Sequence, residues 1–306
     1  MLEFILSTLK AALPAATPLL LGTLGEIYSE RSGVLNLGVE GMMIMGAVTA
    51  FGVTLLTGNI WLGMVLACAV GGGTALIHAL ISVTLGANQI ISGLALTIFG
   101  LGLSALIGKG YVGLPLASKI RALPVPLLKD IPIIGKILFE QDLLVYLSLF
   151  VLTPLFWFFL FKTKWGISLR SVGENPAAAD VSGVNVYLVR YLAVFVGGVM
   201  AGVGGAYLSV AYAPAWIEGM TAGTGWIVIA LTIFALWRPG RAVVGACLFG
   251  GVKVLQYRLQ PLGISPNLLN TLPFVLTIVV LLAATREVVR KKVGAPAALG
   301  IPYLRE

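Results

Sequence analysis

The residues of this chain that could do chemistry are few, and the most notable is Glu40. It follows a polar, glycine-spaced stretch, residues 33–39, that contains Asn36. A charged side chain at the centre of a membrane helix costs about 2.5–3.5 kcal/mol on the insertion scale. Two interpretations stay open: a broken helix whose freed backbone groups line a polar cavity, or hydrogen bonds that lock a helix end.

Other polar residues interrupt the apolar segments. Asn88 and Gln89 stand at a predicted inner boundary of a span, Glu218 stands near an outer boundary beside Trp216, and His78 is the only histidine. We interpret His78 as a hydrogen-bonded helix residue. Among the acids at membrane depth, only Glu40 offers itself for ion coupling. The residues predicted to serve a translocation pathway are Asn36, Glu40, Asn88, Gln89 and Glu218.

Patterns typical of enzymes are missing from the sequence. No nucleophile stands in an arrangement with a base, and no metal-ligand spacing occurs. Residues 102–110 have one residue too many for a P-loop and lack its Ser/Thr. We expect no catalytic residue, no metal and no cofactor in this chain, and any ATP hydrolysis must occur on another chain.

The composition predicts an all-α, polytopic membrane protein. The chain has 306 residues, of which 58% are hydrophobic and only 10% charged, and its mean hydropathy is +1.01. Soluble domains are about 25% charged. The net charge of +8 is typical of basic cytoplasmic loops, so we expect a lipid bilayer rather than nucleic acid as the partner.

Apolar runs near the length needed to cross a bilayer form a single transmembrane domain, 1–306. We predict about nine spans, with eight or ten as alternatives. Pro239 and Gly240 force a turn between two short ones. The predicted spans are 4–25, 35–56, 60–84, 89–108, 143–161, 189–212, 224–237, 241–257 and 268–285.

Basic residues set the orientation. With the spans as drawn, three clusters fall on one side, which is then the cytoplasm: Lys162, Lys164, Arg170 and Arg190; Arg238 and Arg241; and Arg286, Arg290, Lys291 and Lys292. This makes 166–188 a cytoplasmic loop, 286–306 a cytoplasmic tail and 109–142 an extracytoplasmic loop. The last assignment conflicts with that loop's own bases, Lys109, Lys119, Arg121, Lys129 and Lys136, although its prolines and acids favour an ordered outer loop.

Small residues recur at four-residue spacing after residue 196. Gly198 and Gly202 form a GxxxG pattern, and Gly197, Ala201 and Gly205 form a second row. Such rows let helix backbones approach closely in a membrane. Helix packing explains them, with a direct substrate role as the alternative.

The stretch 166–185 is a polar interlude in this apolar chain. Asn175 can cap a helix and Pro176 suits a first turn. Three alanines then favour helix, and Gly183 supplies a stop. The sequence predicts a short surface helix between two spans, with Glu174 near its positive end; a merely structured loop is the alternative.

This same run, Gly173-Glu-Asn-Pro-Ala-Ala-Ala-Asp180-Val-Ser-Gly-Val-Asn185, resembles the cytoplasmic coupling loop of ABC-importer permeases in the ribose and branched-chain amino acid group. Upstream, Ser29-Glu-Arg-Ser-Gly-Val-Leu-Asn-Leu-Gly-Val-Glu-Gly-Met-Met43 is similar to the signature of the branch that imports nucleosides. That branch also carries simple-sugar labels. The resemblance covers nearly the whole chain.

The resemblance implies a permease in a bacterial or archaeal plasma membrane, with several partners: an ABC ATPase subunit, a second permease, identical or homologous, and an extracytoplasmic substrate-binding protein. Nucleosides are the expected substrate. Simple sugars or branched-chain amino acids, an ion-coupled secondary transporter, and a structural or insertase-like protein are the alternatives. The residues expected to couple to the ATPase are Gly173, Glu174, Asn175, Pro176, Ala177, Ala178, Asp180 and Gly183.

Overall fold

The computed structural model describes residues 2–118, 120–284 and 294–305. Within these ranges the chain is helical. In chain order the helices are α1 Leu2–Arg31, α2 Val39–Thr57, α3 Ile60–Ala79, α4 Gln89–Gly108, α5 Ile134–Leu138, α6 Leu143–Tyr146, α7 Thr153–Lys162, α8 Lys164–Glu174, α9 Pro176–Val181, α10 Val186–Tyr207, α11 Thr224–Phe234, α12 Pro239–Leu259, α13 Pro266–Asn270 and α14 Leu272–Ala284. Three π-helical segments continue α3, join α6 to α7 and extend α10; they are Leu80–Thr84, Leu147–Leu152 and Leu208–Tyr212.

The predicted spans are confirmed as apolar helices. Among the described residues, seven helices are long and apolar enough to cross a membrane, and two shorter apolar helices occupy the remaining predicted positions. The largest boundary differences concern α1, which runs on to Arg31, and α2, which starts at Val39 rather than near residue 35. The predicted turn before α12 is also present, with Pro239 in its first helical turn.

Glycines bring the central helices into backbone contact. A Cβ on Gly46 of α2 would lie 2.3 Å from the carbonyl oxygen of Gly202, and one on Gly198 would lie 2.4 Å from that of Gly71. Real Cβ atoms do not approach backbone this closely, so no larger side chain fits. The GxxxG pattern therefore serves packing of α10 against α2 and α3, as the first interpretation had it.

The two ends of the bundle carry different groups. At one end, Arg31 lies close enough to Arg170 and Arg238 to interact with their charges. Two of the three basic clusters therefore meet there. At the other end Lys10 pairs with Glu140, and the Tyr207 hydroxyl donates to Asp142 at 2.6 Å. Loop 109–142 thus packs at the end opposite α8 and α9. The third basic cluster, all of it in 286–292, and Lys119 lie outside the described residues.

Candidate functional site

Glu40 lies in the first turn of α2 and is 3% exposed. Its Oε1 accepts hydrogen bonds from the Thr221 hydroxyl at 2.5 Å and the Gly223 backbone N–H at 3.0 Å. Its Oε2 accepts one from the backbone N–H of Gly225 at 2.6 Å. The carboxylate therefore holds the start of a helix, and that helix is α11 rather than its own.

The start of α11 needs such a partner. Gly223 precedes the helix at φ +80° and offers no side-chain cap. At 11 residues the helix covers about 16 Å, roughly half of a hydrocarbon core. Its free amide groups and positive end favour an anion. Glu40 supplies one, so of the two interpretations of Glu40 the hydrogen-bonded helix end describes the geometry.

A buried loop, residues 32–38, joins α1 to α2, and side chains from α3 and α4 satisfy its backbone. Gln89 Oε1 accepts from the Leu35 N–H at 2.7 Å. His78 Nε2 lies 3.1 Å from the Leu35 carbonyl oxygen, and the Thr97 hydroxyl donates to the Leu37 carbonyl at 3.0 Å. Buried backbone groups must be paired. His78 is the hydrogen-bonded helix residue that the sequence predicted.

Two buried acids in α1 were missed. Glu26 and Glu30 are 1% and 0% exposed. The Asn36 amide donates to Glu26 at 3.3 Å, and the Trp237 indole donates to Glu30 at 2.5 Å. The expectation that only Glu40 offers itself as a deeply placed acid is therefore wrong. Their spacing of four residues, one helical turn, was the available signal, but the predicted span ended at residue 25 whereas α1 continues past both.

The five predicted pathway residues do not converge on one site. Asn36 lies in the buried loop, and Gln89, at the start of α4, binds the loop's backbone. Asn88 instead caps α4, because its side chain accepts from the Ile90 N–H at 2.9 Å. Glu218 is exposed on the irregular segment 213–223. Glu40, in the first turn of α2, binds the start of α11, so four separate features account for the set.

A cavity of about 330 Å³ opens beside the first turns of α11. None of the five predicted pathway residues lines it. Lys253 lines it, with its ammonium 5.7 Å from the centroid of the Tyr212 ring, and the Gln256 amide donates to Asn270 across it. The lining mixes amides, one cation and aromatic rings: Leu19, Met220, Ala222, Thr224, Ile227, Phe249, Lys253, Gln256, Tyr257, Asn270, Pro273 and Phe274.

At the basic end of the bundle, the predicted short helix is present as α9. Asn175 is its N-cap, and its side chain accepts from the Ala178 N–H at 3.0 Å. Pro176 occupies the first helical turn, and Gly183 follows the helix at φ +85°. Each of these residues performs the local role that its type predicts.

The two faces of α9 differ. Ala177 and Ala178 are exposed, and Val181 is 92% exposed. Ala179 is buried against the bundle. Val181 was not among the predicted coupling residues; the signal was an apolar residue one turn after Ala177 in a polar stretch. An exposed apolar patch of this kind is typical of a contact surface.

Two other predicted coupling residues, Gly173 and Asp180, contact the rest of the protein. A Cβ on Gly173 would lie 2.1 Å from the Arg31 carbonyl oxygen, so this glycine permits close packing of α8 on α1. Asp180 accepts from the Tyr303 hydroxyl at 3.0 Å. Desolvation and then this hydrogen bond raise the pKa of the Tyr303 phenol.

Comparison with known proteins agrees with this arrangement. Residues 9–281 match the family described as branched-chain amino acid transport system / permease component. A putative glucose ABC transporter permease protein of Haloferax volcanii is 41% identical over all of this chain and 99% of its own length. A guanosine ABC transporter permease protein of Bacillus subtilis is 38% identical, covering 96% of this chain and 95% of its own. A nucleoside ABC transporter permease protein of Lactococcus lactis subsp. cremoris is 34% identical, covering 95% and 94%.

No solved structure matches the chain. The family match covers most of the sequence, and the relatives align from end to end. The apolar helices of the described residues agree with a protein that crosses the membrane many times. The chain therefore belongs to the family of branched-chain amino acid transport system permease components, as a multi-pass ABC transporter permease of the plasma membrane.

Proposed function

We propose that this chain is the permease subunit of an ATP-driven importer for nucleosides. ATP is hydrolysed on a partner ATPase, a second permease completes the pathway, and an extracytoplasmic binding protein delivers the substrate. The whole chain, 1–306, acts as one transmembrane domain, with 166–188 and 286–306 in the cytoplasm and 109–142 outside.

The observation that carries the proposal is the exposed apolar face of α9. Ala177, Ala178 and Val181 point away from the bundle at the end where Arg31, Arg170 and Arg238 gather. Basic residues accumulate on cytoplasmic ends, which is where an ATPase would dock. A helix whose two ends are capped is more rigid than a loop, so it transmits a movement of the ATPase to the permease more effectively.

The coupling residues divide the work in this proposal. Asn175, Pro176 and Gly183 fix the two ends of α9, and Ala177 and Ala178, with Val181, touch the ATPase. Behind them, Gly173 lets α8 pack tightly on α1. Glu174 accepts a hydrogen bond from the backbone N–H of Ala297 at 3.4 Å. Movement of α9 therefore reaches α1 through α8.

The substrate assignment rests on the relatives' names and on the cavity beside α11. Two of the three relatives are named for guanosine or nucleosides and the third for glucose. The cavity volume of about 330 Å³ lies at the small end of ligand pockets. Phe249 and Phe274 offer rings against which a base can stack. Gln256 and Asn270 offer amides that match the donors and acceptors of a base or ribose.

Competition for uptake tests the substrate. The complete transporter, in vesicles loaded with ATP, should take up radiolabelled guanosine, and unlabelled nucleosides should suppress this uptake while glucose or leucine at the same concentration does not. Suppression by glucose, or transport of glucose without transport of guanosine, would show that sugars rather than nucleosides are the substrate.

A further inference from the structure

The C-terminal segment, residues 294–305, crosses the face of the bundle that carries α9. It is not a membrane helix; its backbone runs in turns and extended chain. Ala298 is 6% exposed and donates its N–H to the Gly173 carbonyl at 2.9 Å. The segment therefore packs as part of the folded protein, directly against the α8–α9 junction.

Its last residues bind the coupling helix. Both the Tyr303 hydroxyl and the Arg305 guanidinium lie 3.0 Å from the same carboxylate oxygen of Asp180. The ring of Tyr303 also lies 6.0 Å from that of Tyr187, at the start of α10. The hydrogen bond from Tyr303 to a carboxylate is charge-assisted and stronger than a neutral one, whereas the Arg305 side chain is 69% exposed and its ion pair adds less. Asp180 is thus engaged by the chain's own C-terminal segment.

The middle of the segment binds the buried loop between α1 and α2. The Gly300 N–H donates to the Gly33 carbonyl at 3.1 Å. Arg190 is fully buried and bridges the two, donating to the Ser32 carbonyl at 3.2 Å and the Ile301 carbonyl at 3.3 Å. Breaking a buried guanidinium contact is costly, so the middle of the segment is firmly attached to the loop.

We propose that residues 294–305 are a second coupling element. Tyr303 and Arg305 bind Asp180 of α9, and the segment transmits the movement of α9 to the loop that leads into α2. In this role Asp180 is a positioning residue that serves the C-terminal segment and not the ATPase surface. The inference rests on the proposed function, because it assumes that an ATPase moves α9.

The contacts of the C-terminal segment lead from α9 to the helix that borders the cavity. The loop at 32–38 continues into α2, whose first turn carries Glu40, and Glu40 holds the start of α11 beside the cavity. A movement passed from Asp180 to Gly33 therefore acts on the helix that borders the cavity. A chain of contacts alone does not establish coupling, so the test must separate coupling from folding and from docking.

The test uses the complete transporter in proteoliposomes, with ATP hydrolysis and nucleoside uptake measured on the same sample. Tyr303→Phe combined with Arg305→Gln removes both the hydrogen bond and the ion pair to Asp180. We expect nucleoside taken up per ATP hydrolysed to fall by about threefold to tenfold, a range typical of coupling residues, while ATP hydrolysis persists. Arg121→Gln makes the same chemical change on an exposed residue of loop 109–142, and it should leave the ratio unchanged.

A charge exchange gives a second, independent readout. Arg305→Asp alone should uncouple, and Arg305→Asp with Asp180→Arg should restore at least half of the ratio. An unchanged ratio in the Tyr303 and Arg305 variant would overturn the inference. So would a parallel loss of hydrolysis and uptake, since that pattern reports lost docking or folding. Absence of nucleoside uptake by the unmodified transporter would instead contradict the proposed function.

Discussion

The backbone N–H of Gly225 donates to Oε2 of Glu40 at 2.6 Å, which joins the first turn of α11 to the first turn of α2. The two residues stand 185 positions apart. The start of α11 is buried, so its first amide groups need hydrogen-bond partners within the protein. This one carboxylate therefore fixes the edge of the cavity to the helix that follows the buried loop.

Replacing Glu40 by glutamine should destabilise the protein. The amide of Glu40→Gln keeps a single acceptor oxygen, so the N–H of Gly223 or Gly225 loses its partner, at a cost of about 1–3 kcal/mol. A lower midpoint of thermal unfolding in detergent would show this. Glu218→Gln makes the same change on an exposed residue and should leave the midpoint where it is; equal shifts in both variants would contradict the role given to Glu40.

A methyl group at Gly205 should not be tolerated. Its Cβ would lie 1.8 Å from the carbonyl oxygen of Met43, so Gly205→Ala must push α10 away from α2. We expect a loss of about 1–3 kcal/mol or more in stability, as for other overpacked sites, read as a lower yield of monodisperse protein and a lower unfolding midpoint. Gly102→Ala is the matched control, because a Cβ there meets no atom within 4 Å.

The cavity assignment makes a prediction for α13. Asn270 lines the cavity and accepts from Gln256, so Asn270→Leu should remove a hydrogen-bonding group from the substrate's path. We expect the KM for nucleoside uptake to rise about threefold to tenfold, the equivalent of one lost hydrogen bond. Asn267→Leu, on the same short helix and exposed, should leave KM unchanged. An equal rise in both would point to damage of α13 rather than loss of a substrate contact.

Docking of the ATPase should depend on Val181. This side chain is 92% exposed, so Val181→Asp costs the permease fold little but places a charge in the proposed contact. The ATPase should no longer co-purify with the variant, because an unpaired charge is expensive to bury. Val112→Asp, 58% exposed at the opposite end of the bundle, should retain the ATPase. Normal co-purification of the ATPase with Val181→Asp would show that α9 is not part of the ATPase interface.

Local features of this protein were predictable from its sequence. The helix α9 follows from Asn175, Pro176 and Gly183, because caps and stops act through bonds only a few residues long. The apolar helices follow from run length. His78 was correctly read as a hydrogen-bonded helix residue, since no second ligand stands near it in the chain.

Contacts between distant residues were not predictable. Nothing in the order of residues pairs Glu40 with Thr221, or Asp180 with Tyr303, because only the packed bundle brings them together. Glu26 and Glu30 were missed for a simpler reason: hydropathy alone ended the first span before them. The cavity was missed because its lining comes from four separate stretches of the chain.

The central claim, that an ATPase drives this permease through α9, is tested most directly by the energy source of uptake. Proteoliposomes that contain the chain with its partner permease, ATPase and binding protein should accumulate radiolabelled guanosine only with ATP on the ATPase side. Omitting the ATPase, or supplying a non-hydrolysable ATP analogue, should abolish accumulation. Guanosine uptake by this chain alone, driven by an ion gradient and indifferent to ATP, would contradict the account.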